Sequence, residues 1–354
     1  MSGTSADGID LALIEDKPLT LLSSDYIPFK KDLQSRVLAV IQGEALSACD
    51  MARLDADLGQ AYSDAINHFV EKHQLDRTII QAIGLHGQTV AHLPDGSVNN
   101  SIQLGHPALV ASQTNIPVIS DFRRTDMVYG GQGAPLAPAL HQALFKQSNQ
   151  NIGVLNLGGI ANLTLIGEQL IGFDVGPANC LLDEWCQLHT GHAYDYEGQW
   201  AKTGQVNTNL LHAFLQDPYF LKQPPKSTGR EYFNQRWLNA YIRAMKVLPE
   251  DVQRTLLILV AESVKQAITD SQISLDQLIV VGGGSHNVLL MVTLQEKLDC
   301  TVMTSEALSI SPDDIEAMLM AWLAARHCRG QKTNLKTVTG CQKPHIYGIR
   351  YGVG

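Results

Sequence analysis

The sequence has little that would place the protein in a membrane, on nucleic acid or in a disulfide framework. It contains no run of about 18 apolar residues, and its first residues lack the basic-then-apolar pattern of a signal peptide. Lys and Arg number 26 against 35 Asp and Glu, without a basic run, which argues against a nucleic-acid partner. The six cysteines form no C-x-x-C pair, which favours reduced thiols in a cytoplasmic protein with no membrane partner.

Two common nucleotide-binding fingerprints are also absent. No G-x-x-x-x-G-K-[ST] motif occurs, so the chain has no P-loop of that type. The glycine triplet at 282–284 lacks the G-x-G-x-x-G spacing, which argues against a dinucleotide-dependent dehydrogenase. An acidic protein can still bind a phosphate group when the backbone amides of glycine loops supply the donors.

Strand-like and helical segments alternate through the 354 residues, which predicts an α/β fold. GIDLALIED (8–16) and LTLLSSDYIPF (19–29) are typical of paired strands, and residues 50–72 have the apolar spacing of a helix. The second half repeats the order of glycine turn, strands, helix and a strand tipped with polar residues. We therefore expect two similar domains, 1–127 and 128–354, with a cleft between them.

Further segments have equally clear patterns. Residues 82–90 and 116–126 are typical of buried strands that end in polar residues, and 151–166 of two strands joined by a glycine turn. Residues 311–330 give the clearest helix. We expect Ser311 to cap this helix, because the residues after it have the proline and acidic side chains of a first turn.

Three glycine-containing segments are candidates for phosphate binding. SGTSADG (2–8) offers amides and hydroxyls, and Asp7 and Asp10 can hold a divalent metal beside phosphates. A flexible terminus explains the first stretch equally well. NLGGIANLT (156–164) is explained by a hairpin turn, but one such turn in each half favours two contacts with phosphate. GGGS (282–285) follows a buried strand and is weakly specific by itself.

Polar residues at strand ends form a second group of motifs. FDVGPAN (173–179) places Asp174 where a partly desolvated carboxylate can act as a general base, although a turn-capping Asp is about equally expected. HGQT (86–89) and DFRRTD (121–126) add imidazole, amide, hydroxyl and guanidinium groups that suit a sugar or a carboxylate. A structural histidine and a solvated arginine pair are the ordinary alternatives.

Seven motifs taken together resemble those of the anhydro-N-acetylmuramic acid kinase family, and the resemblance covers essentially the whole chain. Each motif is weak alone, but seven in register are highly specific. The resemblance implies the fold of the sugar-kinase, Hsp70 and actin superfamily, with two similar actin/hexokinase-like α/β domains closing over ATP and Mg²⁺. In order, the motifs are MSGTSADGID, LHGQTVAH, SDFRR, GGQGAPLAP, NLGGIANLT, GFDVGPAN and VVGGGSHN.

The family reaction joins hydrolysis to phosphoryl transfer, and the resemblance implies the same reaction here, in peptidoglycan recycling. Water opens the anhydro ring of 1,6-anhydro-N-acetylmuramic acid at the anomeric carbon, and the freed 6-oxygen attacks the γ-phosphate of ATP. The products are N-acetylmuramic acid 6-phosphate and ADP. By motif, the resemblance makes Asp174 the base and Arg123 the partner of the sugar's lactyl carboxylate. The implied ATP-binding residues are Gly3, Thr4, Ser5, Ala6, Asp7, Gly8, Ile9, Asp10, Gly158, Gly159, Asn162, Gly282, Gly283 and Gly284. The implied sugar-binding residues are His86, Gln88, Thr89, Asp121, Arg123 and Glu316.

Two positions depart from the family pattern. Family members usually carry a strand before MSGTS. We expect that the present sequence folds but phosphorylates poorly, and that an apolar strand ahead of Met1 restores activity. Residues 176–179 are GPAN, whereas the usual family motif is GPGN, so Ala178 replaces a glycine. An alanine is strained at this position if the backbone needs a positive φ.

Two other functions stay open beside the family reaction. The first is an ordinary sugar kinase of the same fold, in which Asp174 deprotonates a sugar hydroxyl directly. The second is a nucleotide-gated binding protein of the Hsp70 kind, although the sequence has no additional peptide-binding domain. The sequence also leaves a homodimer open.

Overall fold

The computed structural model describes residues 1–3, 6–94, 99–224, 226–243 and 245–353, and it confirms the predicted α/β fold. The strands are β1 (Gly8–Asp16), β2 (Leu19–Pro28), β3 (Ile83–Gly84), β4 (Gln88–Leu93), β5 (Asn100–Leu104), β6 (Val118–Ser120), β7 (Ile152–Leu157), β8 (Ile160–Ile166), β9 (Leu170–Pro177), β10 (Gln277–Val281), β11 (Thr301–Thr304) and β12 (Ile349–Tyr351). The helices are α1 (Lys31–Ile41), α2 (Ala48–Lys72), α3 (Pro107–Thr114), α4 (Phe122–Val128), α5 (Ala137–Phe145), α6 (Asn179–Thr190), α7 (Thr208–Leu215), α8 (Gln235–Ile242), α9 (Pro249–Asp270), α10 (Val288–Lys297), α11 (Ile315–Cys328) and α12 (Lys336–Thr339).

The chain forms two compact units, but their boundaries differ from the predicted ones at 127/128. Met1–Leu144 and Asp314–Gly354 make up the first unit, and Phe145–Asp313 makes up the second. The C-terminal segment belongs to the first unit because β12 pairs antiparallel with β6. This pairing joins residues that are far apart in sequence, and no local pattern reports it.

The second unit is built on one five-stranded sheet with the order β11-β10-β7-β8-β9. β7 lies in the middle, antiparallel to β8 and parallel to β10, so the two strands predicted at 151–166 are confirmed. Five of the six residues of β7 are buried, as expected for a strand that has neighbours on both edges and is covered on both faces. Helix α9 packs against α6, α7, α10 and β9.

The first unit contains a β1–β2 hairpin, a three-stranded sheet β12-β6-β3 and a β4–β5 hairpin. The predicted pairing of 8–16 with 19–29 is therefore confirmed. Helices α2 and α11 pack against β1. The predicted helix at 50–72 is also confirmed as α2, whose N-cap Ser47 accepts a hydrogen bond from Asp50 N at 3.1 Å.

Three predicted elements have different bounds in the structure. Helix α11 begins at Ile315, because the Ser311 side chain accepts from Asp313 N in a preceding turn and does not cap the helix. Within segment 116–126, only Val118–Ser120 (β6) forms a strand. The strand ends there because Asp121 has a φ of +62°, and α4 begins directly after Asp121. Segment 82–90 is divided between β3 and the start of β4. No helix in the described ranges is long and apolar enough to cross a membrane.

Asp126 is a buried carboxylate that joins three segments of the first unit. Its Oδ1 accepts hydrogen bonds from Thr339 Oγ1 at 2.9 Å and Tyr347 OH at 2.6 Å, and its Oδ2 accepts one from Gly133 N at 2.8 Å. The residue is 0% exposed, so these donors replace water around the carboxylate. They attach the C-terminal segment to α4 and to the glycine-rich loop after it.

Replacing Asp126 with alanine should lower the free energy of unfolding by about 3 kcal/mol or more, because three buried donors lose their acceptor at about 1–3 kcal/mol each. Chemical denaturation followed by circular dichroism measures the change. Asp32→Ala is the matched control, since the Asp32 side chain is 87% exposed. We expect the control to change stability by less than about 0.5 kcal/mol. Equal stabilities of the two variants would contradict the role given to Asp126.

Candidate active site

Asp174 lies on β9, is 9% exposed, and has hydrogen bonds to both carboxylate oxygens. Asn162, its partner across the β8–β9 ladder, donates from Nδ2 to Oδ1. Thr228 N donates to Oδ2 at 2.9 Å. Both donors are neutral, so they orient the carboxylate without pairing its charge. A carboxylate held in one orientation in a buried position can accept a proton from a bound water or hydroxyl.

The segment after α7 wraps around the Asp174 backbone. Asp174 N donates to Lys226 O at 3.1 Å, and Tyr219 OH donates to Asp174 O at 2.8 Å. The Lys226 ammonium lies 4.9 Å from the centre of the Tyr219 ring. Burial lowers the pKa of Lys226, while Asp174 and Asp270 oppose the shift. The segment therefore places a cation and a backbone donor beside the candidate base.

Asp217 anchors this segment through four hydrogen bonds. Its Oδ1 accepts from Tyr219 N at 2.9 Å and Tyr232 OH at 2.8 Å, and its Oδ2 accepts from Trp237 Nε1 and Tyr241 OH, both at 2.9 Å. Burial alone would raise the pKa of Asp217. The four donors outweigh burial and hold the pKa below its ordinary value. The segment that carries Thr228 is thus tied to a fixed aromatic cluster.

The Gly158–Gly159 turn between β7 and β8 is also the platform on which α6 begins. Gly159 O accepts hydrogen bonds from the amides of Ala178 and Cys180, both at 3.0 Å, and Gly158 O accepts one from Asn179 N at 3.1 Å. These carbonyls satisfy the first amides of α6. In the described part of the chain, neither glycine amide of the turn donates a hydrogen bond.

Ala178 does not have the strained backbone that a positive φ would impose. Its φ is −127°, so the strain expected for a positive φ does not arise.

Arg230 lies close to the Gly158–Gly159 turn, since a Cβ placed on Gly159 would lie 3.3 Å from Arg230 Nε. Burial raises the pKa of Asp183, one turn into α6, to about 7, and the Arg230 guanidinium opposes that shift.

The Gly282–Gly284 turn follows β10 and lies against the end of β7. Gly282 has a φ of +79°, and a Cβ there would collide with Asn156 Oδ1. Gly284 packs equally closely against the end of β7, since a Cβ added to Gly284 would lie 2.5 Å from Leu157 Cβ. Ser285 Oγ is buried and has no hydrogen-bond partner among the residues that the structure describes. Both glycine turns of the second unit therefore lie at the carboxyl end of β7.

In the first unit, the predicted phosphate loop is described except for Thr4 and Ser5, which lie outside the described residues. Gly3 O accepts hydrogen bonds from Ala6 N at 3.2 Å and from Gln88 Nε2 at 3.1 Å. Ala6 is buried with a φ of +49°, so the chain turns sharply here. Gln88 Oε1 is buried without a hydrogen-bond partner in the described ranges.

The remaining residues of that predicted loop enter β1. Gly8 and Ile9 are buried at its start, Asp7 is exposed, and Asp10 is half-buried. Burial raises the pKa of Tyr26, and the negative charges of Asp7 and Asp10 raise it further, so both carboxylates act on the same phenol. Asp7 and Asp10, the carboxylates predicted to hold a divalent metal, thus both lie close enough to Tyr26 to affect its phenol.

Buried His86 and half-buried Arg123 form a hydrogen-bonded pair. Arg123 donates from Nε to His86 Nε2 at 2.9 Å and from Nη1 to Gly133 O at 2.9 Å. His86 Nδ1 donates to Gly87 O at 2.7 Å, which fixes the tautomer that accepts from the arginine. Burial, and then the Arg123 charge, hold the pKa of His86 well below its usual value. The neutral imidazole thus orients the guanidinium.

The other predicted sugar-binding residues have different surroundings. Asp121 accepts from Tyr351 OH at 2.9 Å and pairs with Arg124 at 2.5 Å, so it serves the fold of the first unit. Thr89 Oγ1 accepts from Gln103 Nε2 at 3.2 Å. Glu316 is exposed in the first turn of α11.

The structure therefore brings the predicted residues into two groups. Asp174, Asn162 and both glycine turns belong to the five-stranded sheet of the second unit and its turns. His86, Gln88 and Arg123 are linked in the first unit, where Gln88 also contacts Gly3. Sequence reasoning missed the contribution of the segment that carries Asp217, Lys226, Thr228 and Arg230. Its signal is the polar, glycine-containing run KSTGRE between two aromatic-rich stretches.

Comparisons with known proteins agree with these motifs. The sequence model of the family "Anhydro-N-acetylmuramic acid kinase" matches residues 1–352. An anhydro-N-acetylmuramic acid kinase from Vibrio vulnificus is 42% identical, over 99% of this chain and 96% of that protein. The same description belongs to a Sulfurimonas denitrificans protein that is 42% identical over 99% of this chain and 98% of its own.

Solved structures give a more distant likeness. A ROK family glucokinase from Streptomyces griseus, in complex with glucose and AMPPNP, is 14% identical with a TM-score of 0.41, over 91% of this chain and 96% of that one. An inorganic polyphosphate/ATP-glucomannokinase from Arthrobacter is 12% identical with a TM-score of 0.41, over 92% and 96%. The assignment rests on the sequence matches, by which this chain belongs to the anhydro-N-acetylmuramic acid kinase family.

Proposed function

We propose that the chain uses ATP and water to convert 1,6-anhydro-N-acetylmuramic acid into N-acetylmuramic acid 6-phosphate and ADP, in the cytoplasm and as a step of peptidoglycan recycling. The observation that carries the proposal is the Asp174 carboxylate, which neutral donors hold in a buried position on the strand paired with β8, directly after the Gly158–Gly159 turn. This arrangement suits a base that must activate a small nucleophile next to a bound phosphate.

Asp174 takes a proton from water as the water oxygen bonds to the anomeric carbon. The bond from that carbon to the bridging oxygen breaks, and the freed 6-oxygen attacks the γ-phosphorus while ADP leaves. The proton on Asp174 then passes to solvent, so atoms and charge balance. The bonds from Asn162 and Thr228 keep the carboxylate in place as it changes charge. Attack by an activated water resembles inverting glycoside hydrolysis.

In the second unit, the candidate contacts for the phosphates of the nucleotide are groups of the two glycine turns. The amides of Gly158 and Gly159 are available to phosphate oxygens, and the buried Ser285 hydroxyl is available beside the Gly282–Gly284 turn. In the first unit, the Gly3–Asp10 stretch is the candidate phosphate loop. Asp7 and Asp10 would hold Mg²⁺, which neutralises charge on the transferring phosphoryl group when it is bound.

Arg123 is the residue we propose for the lactyl carboxylate of the sugar. His86 and the Gly133 carbonyl hold its guanidinium through Nε and Nη1. A guanidinium orientated in this way can form a charge-assisted bond with a carboxylate. The buried Gln88 Oε1 gives a nearby acceptor for a sugar hydroxyl or amide.

Labelled water separates the proposed reaction from simple phosphorylation of a sugar hydroxyl. In H₂¹⁸O, with ATP and anhydro-N-acetylmuramic acid, we expect one ¹⁸O atom at the anomeric carbon of the phosphorylated product. The product is quenched and analysed at once by mass spectrometry, and N-acetylmuramic acid 6-phosphate made without label corrects for exchange at that carbon. A phosphorylated product that still contains the anhydro ring would contradict the proposal.

Asp174→Asn should lower turnover by about 10²-fold or more while ATP binding stays within about twofold, because an amide cannot accept the proton from water. A coupled ADP assay measures turnover, and calorimetry measures ATP binding. Asp299→Asn is the control, since Asp299 is an exposed carboxylate of the same unit. A rate for Asp174→Asn close to that of the control would remove Asp174 from the mechanism.

Arg123→Ala should raise the KM for the sugar by about 10-fold or more and leave the KM for ATP nearly unchanged, since a charge-assisted bond contributes about 1.5–3 kcal/mol. Arg124→Ala is the matched control, because the neighbouring Arg124 pairs with Asp121 and is 48% exposed. Melting curves of both variants test for loss of the fold. If Arg124→Ala weakens sugar binding and Arg123→Ala does not, the assignment passes to Arg124.

A further inference from the structure

The first unit contains a buried cluster of three side chains that are all of metal-binding types. A carboxylate oxygen of Asp126, Sγ of Cys341 and a ring nitrogen of His345 lie within 4.8 Å of one another. The three residues, which we call the Asp126 cluster, are 0%, 1% and 3% exposed. Within the described ranges, no other group of three or more His, Cys, Asp and Glu side chains has this spacing. None of the three residues is among those assigned above to ATP or to the sugar.

The His345 imidazole has a fixed orientation and one nitrogen left for a ligand. Its ring stacks on the rings of Tyr129 and Tyr347, at centre-to-centre distances of 4.3 and 4.1 Å. Nδ1 donates to Lys343 O at 3.1 Å, whereas Nε2 is buried and has no hydrogen-bond partner in the part of the chain that the structure describes. A metal-binding histidine commonly donates from its other nitrogen to a backbone carbonyl, which fixes the tautomer. His345 therefore has the arrangement of a metal-binding imidazole.

The Asp126 carboxylate accepts hydrogen bonds from neutral donors. Oδ1 accepts from Thr339 Oγ1 and Tyr347 OH, and Oδ2 accepts from Gly133 N. These donors orient the carboxylate without cancelling its charge, and Oδ2 keeps a lone pair for a further partner. Ligating carboxylates in metal sites are commonly held by outer donors of this kind. A divalent cation at this position would balance a buried negative charge.

Backbone contacts hold the two other members of the Asp126 cluster in place. Cys341 and His345 are separated by three residues in the C-terminal segment. Next to Cys341, Gln342 N donates to Tyr129 O at 2.8 Å. His345 and Thr333 exchange two backbone bonds, at 2.9 and 3.3 Å. The main chain thus brings both side chains to Asp126 without help from a bound ion.

We propose that the Asp126 cluster binds one Zn²⁺ through a carboxylate oxygen of Asp126, Sγ of Cys341 and Nε2 of His345. Thiolate and imidazole ligands favour Zn²⁺ over Mg²⁺ and Ca²⁺, which prefer oxygen. On binding, the Cys341 thiol releases its proton to solvent as the bond between sulfur and zinc forms. The ion, the thiolate and the carboxylate then have no net charge, as a buried site requires. Water completes the tetrahedral coordination.

The spacing of the Asp126 cluster allows such a site after a small adjustment. Bonds from zinc of about 2.3 Å to sulfur and about 2.0 Å to nitrogen or oxygen place tetrahedral ligand atoms roughly 3.5 Å apart. Ligand atoms that now lie within 4.8 Å of one another therefore need to approach by about 1.3 Å at most. We expect Cys341 to make most of this movement, because hydrogen bonds and ring stacking hold the other two side chains.

A bound ion would join distant parts of the first unit. Asp126 lies on α4, whereas Cys341 and His345 belong to the segment that leads into β12. β12 in turn pairs with β6. The site would therefore add a metal link to the hydrogen bonds that attach the C-terminal segment, and the thermal stability of the chain should depend on Zn²⁺.

Cobalt binding tests the proposal on the whole chain, after a chelator has removed metals and under reducing conditions. We expect one equivalent of Co²⁺ to produce an absorption band of thiolate-to-cobalt charge transfer. Zn²⁺ should displace Co²⁺ and abolish the band, whereas Mg²⁺ in large excess should leave the band unchanged, because Mg²⁺ prefers oxygen ligands. The absence of a thiolate band in the unchanged chain would overturn the proposal.

Three substitutions test which residues bind the ion. Cys341→Ala should abolish the band. His345→Asn should weaken Co²⁺ binding at least about 100-fold, because the loss of an outer partner alone costs about 10- to 100-fold. Asparagine keeps an amide donor for Lys343 O but offers no counterpart of Nε2. Cys49→Ala is the matched control, since the Cys49 thiol is exposed, and it should change neither the band nor the affinity. A band that survives Cys341→Ala and disappears in Cys49→Ala would overturn the proposal.

X-ray absorption of the zinc-loaded, unchanged chain gives an answer even if a variant fails to fold. We expect one sulfur ligand at about 2.3 Å and nitrogen or oxygen ligands at about 2.0 Å. Zn²⁺ at about 100 times its Kd should raise the Tm by about 5 °C in the unchanged chain and in Cys49→Ala, but not in Cys341→Ala. A site without sulfur, or an equal rise in all three proteins, would overturn the proposal. These measurements do not depend on the proposed kinase reaction.

Discussion

Pairing of β7 on both of its edges is the constraint on which the site of the second unit depends. Because β8 is antiparallel to β7 and β10 is parallel to it, the turns at Gly158–Gly159 and Gly282–Gly284 lie at the same end of one strand. Gly282 approaches Asn156 so closely that a Cβ cannot be accommodated. Ligand sites of open α/β sheets commonly form at the carboxyl ends of their strands. The turns thus meet because of sheet geometry, without any direct sequence relation between them.

The orientation of Asp174 depends on a second constraint, which lies outside the sheet. One donor, Asn162, comes from the adjacent strand, but the other is a backbone amide of a long segment between helices. That segment holds its shape because four donors surround the buried carboxylate of Asp217. Asp217 therefore influences the candidate base through the position of Thr228, although Asp217 has no contact with the reacting groups.

The first unit uses a buried imidazole in a similar way. Neutral His86 accepts from Arg123 because its other nitrogen donates to a backbone carbonyl. A protonated imidazole would have no acceptor for the guanidinium. Burial, and then the Arg123 charge, lower the pKa of His86 and so favour the neutral form.

The sequence by itself determined the α/β class, the hairpins at 8–29 and 151–166, and the candidate base Asp174, because strand alternation, glycine turns and polar strand ends are local patterns. It also determined the family, through seven motifs in a constant order. Only the tertiary structure decided the boundaries of the units and the donors that hold Asp174. The bond from Thr228 to Asp174 joins residues 54 positions apart, and the bond from Tyr351 to Asp121 joins residues 230 positions apart. Such contacts follow from how whole elements pack, since burial and strand pairing bring distant segments together without leaving a periodic signal in either one.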